Sequence, residues 1–162
     1  MAVHIHPLNI PPRYYKPIGQ VVVGWNLTEA LIASIVWHIH KIRDPKRGRL
    51  FTYRPSASEK LNIFIVSAKN FTKDPGQQRQ LQSLGSRAKA LKSKRNMLAH
   101  GLWGRMPKQA VWKVFYHREA DDAILLRRQE LTVDQVKAMA ADISALNRDL
   151  KAWMSRNGVP PP

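Results

Sequence analysis

The chain has 162 residues, contains no cysteine, and carries 27 Lys and Arg against 11 Asp and Glu, a formal charge of +16. That length and 44% apolar content suit one domain with a real core, while the missing thiols exclude disulfides, thiolate zinc sites and cysteine nucleophiles. So large a cationic excess points to a polyanionic partner.

The charge is unevenly spread. From Met1 to Gly104 there are 17 basic and 4 acidic residues, and the 44 residues from Pro75 to Arg118 hold no acid at all. No uninterrupted run comes near the roughly 20 apolar residues of a membrane helix, and Met1 to Pro12 lack the basic-then-apolar order of a signal peptide. The expectation is a soluble, cytoplasmic protein without a membrane segment.

Residues 1–17 include Pro7, Pro11, Pro12 and Pro17, which fix φ and remove backbone donors, so this stretch reads as an extended N-terminal arm. A first helix is expected from about Gln20 through Trp25, Leu31 and Ile35 to Arg43, where Asp44-Pro45 stops it. The stretch from Lys46 to Pro55, with Arg47 and Arg49, reads as a basic loop. Ser56 and Glu59 have the spacing of a capping box that opens a second helix through Phe71, and Lys73-Asp74-Pro75-Gly76 is a turn.

A third helix is expected from Gln77, with Leu81, Leu84, Ala88, Leu91, Arg95, Leu98 and Leu102 forming a seam in steps of three and four. Beyond Pro107 the period changes, and two short strands, 111–116 and 124–128, suggest a small hairpin. Thr132 and Gln135 repeat the capping-box spacing before a last helix through Trp153, which Gly158 and a proline tail close. The fold expected is mainly α: a bundle of about four to five helices with a small β-hairpin inserted before the last. Its organisation would be an arm at 1–17, one domain at 18–157 and a Pro-rich tail at 158–162.

Chemistry concentrates in Arg95-Asn96-Met97-Leu98-Ala99-His100-Gly101. At about 100° per residue, Arg95 and His100 lie about 140° apart on a helix, the arginine in the leucine seam and the histidine on a stripe with Lys89, Lys92 and Asn96. An arginine in an apolar seam is expensive unless a carboxylate, a phosphate or water meets its guanidinium. Glu29 is the best internal carboxylate, although an ordinary helix-terminal charge is an equal reading of it. A two-fold mate is the other answer, since two copies of Arg95 and His100 would then line one cleft.

Histidine, whose ordinary pKa is about 6.5, suits proton transfer at a ribose 2′-hydroxyl or a leaving 5′-oxygen. An arginine suits the charge that builds on the phosphate. Lys89, Lys92, Lys94, Arg47 and Arg49 are candidate RNA-phosphate contacts. Trp103 is either a platform for an unpaired base or a core residue. His4 with His6 and His38 with His40 lack the further ligands a metal site needs, so no metal or other cofactor is expected.

These residues resemble the signature of the HEPN superfamily of helical ribonuclease domains: an arginine, a polar residue, three more positions, then a histidine late in a long helix. Lys-Arg-Asn-Met-Leu-Ala-His-Gly is similar to the version in bacterial members. The resemblance is specific over about ten residues and architectural over the rest. It implies a homodimer that cuts RNA without metal to leave cyclic phosphate and 5′-hydroxyl ends. His100 would be the acid or base, Arg95 the phosphate ligand and Asn96 an orienting group. Toxins of toxin–antitoxin pairs and anti-phage proteins belong to this family, so an acidic antitoxin is an expected partner. One toxin branch carries a tyrosine two positions after the histidine, where this chain has Leu102. The alternative is a silent HEPN-like module that binds RNA or a protein.

Overall fold

The computed structural model describes residues 10–52, 55–71, 74–105, 112–120 and 123–162. The chain is mainly helical. Among the described residues the order is α1 (Pro12–Ile39), α2 (Pro45–Thr52), α3 (Ala57–Asn70), α4 (Pro75–His100), β1 (Leu102–Arg105), β2 (Trp112–Ala120), β3 (Ala123–Leu131) and α5 (Val133–Arg156). The backbone clusters into two compact units, Met1–Val23 with Ser93–Ala141 and Gly24–Lys92 with Asp142–Pro162.

The second unit is a helical bundle. Its interior is built from Trp25, Leu31 and Ile35 of α1, Phe64 of α3, Leu81 of α4, and Ile143, Leu146, Leu150 and Trp153 of α5, all nearly inaccessible. Burying such side chains contributes roughly 1.5–3 kcal/mol each. Helices α1 and α5 approach closely at Gly24, where an added Cβ would lie 3.0 Å from Ile143 Cγ2. Beside that crossing Thr28 Oγ1 meets Asn147 Oδ1 at 2.7 Å and Asn147 Nδ2 donates to the Gly24 carbonyl at 2.9 Å. A buried polar pair is therefore satisfied between the two helices.

Capping decides where the helices begin. The Ser56 hydroxyl accepts from Glu59 N at 3.3 Å while the Glu59 carboxylate accepts from Ser56 N at 2.6 Å, so α3 starts on the expected capping box. Thr132 and Gln135 do the same before α5, at 2.8 and 3.2 Å. Asp74 Oδ1 accepts from Gly76 N at 2.8 Å, opening α4 with Pro75 as its first residue. At the other end of α5, Gly158 takes φ 65° and Val159 N bonds Met154 O at 3.0 Å, the left-handed cap that glycine favours.

Two expectations are corrected. Residues 12–17 are helical rather than an extended arm, with Pro17 inside α1; residues 1–9 lie outside the described residues. Proline inside a helix costs about 3 kcal/mol, and Tyr14 anchors this turn to the rest of its unit. That side chain is 2% exposed, its hydroxyl donates to Leu131 O at 2.8 Å, and its ring meets Trp103 edge-on at 5.6 Å. Second, the basic loop is the helix α2. Asp44-Pro45 stops one helix and starts the next, with Asp44 Oδ1 accepting from Lys46 N at 2.9 Å.

In the first unit the strands form an antiparallel sheet of order β1-β2-β3, with Trp103 paired to Val114 and Phe115 to Arg128. Leu102, expected in the helical seam, is a strand residue, because α4 ends at His100. The connection at 121–122 lies outside the described residues.

Among the described residues α1 is long and apolar enough to cross a membrane by length and composition, with mean hydropathy 1.3 over its 18-residue window. The expectation from uninterrupted apolar runs missed this, because averaging tolerates the scattered Gly, Asn, Ser and Thr. One face of α1, with Val21, Trp25, Leu31, Ile35 and Val36, is buried in the protein, as in a core helix.

Candidate active site

The last turns of α4 carry the signature. Met97 and Leu98 are buried, 5% and 2% exposed, and fix the helix by its apolar side. Arg95 and Asn96 are half-buried and His100, the last helical residue, is exposed. Gly101 N still bonds Met97 O at 3.0 Å, after which the chain turns into β1.

Arg95 and His100 touch. Arg95 Nη1 lies 3.2 Å from His100 Nε2 and donates to Asn96 Oδ1 at 3.1 Å. The expectation that the two side chains diverge is corrected: an angle of about 140° is measured at the backbone, whereas a guanidinium on three methylenes reaches round the helix. His100 also leans back toward the helix N-terminus, as helical side chains do. The triad is thus assembled within one chain.

The contact has chemical content. A guanidinium only donates, so a hydrogen bond at this contact uses Nε2 as the acceptor, which requires the tautomer with its proton on Nδ1. Arg95 Nε is buried and has no hydrogen-bond partner among the described residues. The guanidinium meets an amide oxygen and an imidazole nitrogen, and no carboxylate compensates its charge among the described residues.

Glu29 does not supply it. Its Oε2 forms an ion pair with Lys60 Nζ at 2.9 Å and its Oε1 accepts from Trp25 Nε1 at 2.7 Å, so the carboxylate joins α1 to α3. Trp103 is no open platform either. It is 5% exposed, with its indole N–H donating to Leu98 O at 3.3 Å and its ring against Tyr14. Tyr14 belongs to this packing although it falls in the stretch expected as an arm; Pro12 as a first helical residue is the signal in the sequence.

Lys89 and Lys94 are exposed on α4, and Arg47 and Arg49 are exposed on α2. Lys92 Nζ donates to Ser58 Oγ. Arg87 of α4 is paired with Asp149 of α5 at 2.6 Å. No family model matches the chain, and neither a curated protein nor a solved structure matches it.

Proposed function

We propose that the protein is a metal-independent endoribonuclease of the HEPN type, cytoplasmic and acting as a homodimer, with RNA as substrate. The observation that carries this reading is the Arg95 guanidinium held by two neutral acceptors, Asn96 Oδ1 at 3.1 Å and His100 Nε2 at 3.2 Å. A half-buried cation without a carboxylate favours an anionic ligand. Phosphodiester oxygens meet that demand.

The reaction follows from the residue types. A phosphate accepting from Arg95 Nη1 releases His100 Nε2, which then takes the proton of the ribose 2′-hydroxyl. The 2′-oxygen bonds to phosphorus, the bond from phosphorus to the 5′-oxygen breaks, and the departing 5′-oxygen takes a proton from water, to which His100 returns the one it removed. The products are a 2′,3′-cyclic phosphate and a 5′-hydroxyl. Arg95 stabilises the charge that grows on the phosphoryl oxygens, and Asn96 orients its guanidinium.

Purified protein incubated with single-stranded RNA in EDTA tests this reading through analysis of the ends. Cyclic phosphate and 5′-hydroxyl termini, lost in His100→Ala and Arg95→Ala with helical content unchanged, are expected. Cleavage that persists in both variants would sink it. Salt-sensitive RNA binding without any product would instead leave a silent RNA-binding module.

A further inference from the structure

A second feature suited to RNA lies in the bundle unit. A cleft of about 690 Å³ opens at the C-terminal end of α1, walled by Trp37 and His38, by Phe71 at the end of α3, and by residues 160–162. Lys41 and Arg43, both exposed, stand among its lining residues, and no aspartate or glutamate side chain does. Ligand pockets are commonly about 300–1,000 Å³, so a nucleotide-sized group fits.

Its rings are held in place by the fold. Trp37 packs on α2 so closely that a Cβ on Gly48 would lie 2.5 Å from the indole, and Trp37 Nε1 donates to Thr52 Oγ1 at 3.2 Å. Phe71 is braced edge-on by Trp153 at 5.7 Å and faces His38 at 6.1 Å. Val159, 6% exposed, pins the proline wall. Preorganised rings lose little entropy when a flat ligand stacks on them.

The cations are placed with equal definition. Helix α1 ends in a left-handed cap, with Ile42 N bonding Trp37 O at 2.9 Å and Lys41 N bonding His38 O at 3.1 Å. Lys41 takes φ 54° in that cap, a position glycine prefers. Strain accepted by a residue on a cleft is a pointer to function. Lys46, Arg47 and Arg49 are exposed on α2, the helix that packs on Trp37, and the one acid between residues 34 and 49, Asp44, is engaged in capping α2.

We propose that this cleft is an RNA-strand subsite, taking one unpaired base among Trp37, His38 and Phe71 while Lys41 and Arg43 bind its flanking phosphates. Stacking supplies affinity for any base, and the cations follow the backbone. The inference rests on the reading of RNA as ligand but not on the cutting chemistry.

The test is anisotropy of a short labelled single-stranded RNA with full-length protein carrying His100→Ala, so that the strand survives. Adding Lys41→Glu with Arg43→Glu is expected to weaken binding at least about tenfold and to lower the salt slope by about 1.4. Lys41→Gly, which relieves the backbone, is expected to raise Tm while weakening binding. An abasic strand should bind less tightly than the intact one, and Phe71→Leu should narrow that difference. Competition by adenosine monophosphate supports the same chemistry with a free nucleotide as its source, whereas equal competition by inorganic phosphate overturns the base pocket.

Unchanged affinity and salt slope after charge reversal would overturn the inference. If that charge-reversed protein, with His100 restored, still cuts RNA like the wild type, the cutting reading stands alone. If the wild type cuts nothing yet binding collapses on charge reversal, the cleft stands and the cutting reading falls.

Discussion

Arg95 Nη1 sits 3.2 Å from His100 Nε2, five residues along α4, and the same nitrogen donates to Asn96 Oδ1. In this arrangement one cation positions the proposed base and supplies the proposed phosphate ligand. An incoming phosphate competes with the imidazole for the same donor, so phosphate binding and release of the base are coupled.

Bidentate recognition of a phosphate also uses the planar fork of the guanidinium. Arg95→Lys keeps the charge but replaces that fork with a compact ammonium on a different stem, and is expected to lower kcat about 10²–10³-fold while the fold persists. Single-turnover cleavage of RNA measures it. Wild-type rates in the lysine variant would mean that charge alone suffices.

Asn96→Ala removes one of the two neutral acceptors of Nη1. The guanidinium then loses its orientation but keeps its charge, so kcat should fall more than affinity for the strand. Separate measurement of kcat and KM decides this, and an effect confined to KM would assign Asn96 to binding instead.

Trp103 acts as packing. Trp103→Ala is expected to cost about 3–5 kcal/mol, and Tyr14→Phe, which loses the bond to Leu131 O, about 1–1.5 kcal/mol. Urea unfolding measures both. Trp103→Phe, which keeps an aromatic ring in the core, should bind single-stranded RNA as the wild type does; a large loss in folded protein would restore the base-platform reading.

Gly48→Ala should melt α2 away from α1. Its Cβ would lie 2.5 Å from the Trp37 ring, and overpacking of this kind costs typically about 1–3 kcal/mol. Hydrogen exchange localised to residues 45–52 is the expected signature, and unchanged protection there would contradict the tight approach.

The α3 capping box gives a pH dependence. Its hydrogen bonds from the Ser56 backbone and side chain hold the Glu59 carboxyl below the ordinary glutamate range. A lowered folded pKa stabilises the protein above the unfolded pKa, and that contribution is lost as pH falls through the folded value. Glu59→Gln should therefore lower stability at neutral pH and flatten the acid limb, the two proteins converging as pH falls below the ordinary glutamate pKa of about 4.3. An unchanged acid limb would show that the box contributes nothing measurable.

The sequence by itself determined the helical class, the starts of α3 and α5, the glycine stop of α5 and the position of the signature at the end of a long helix. These features are local: capping boxes and apolar periods are written in residues three or four apart, and their hydrogen bonds close within one turn. Tertiary structure decided the rest. Tyr14 anchors the first turn of α1 because Leu131, 117 positions away, accepts its hydroxyl, and Glu29 pairs with Lys60 because α3 lies alongside α1. Backbone angle alone put Arg95 and His100 on different faces. Side-chain reach brought them together, and spacing along a sequence does not encode the path of a guanidinium across the end of a helix.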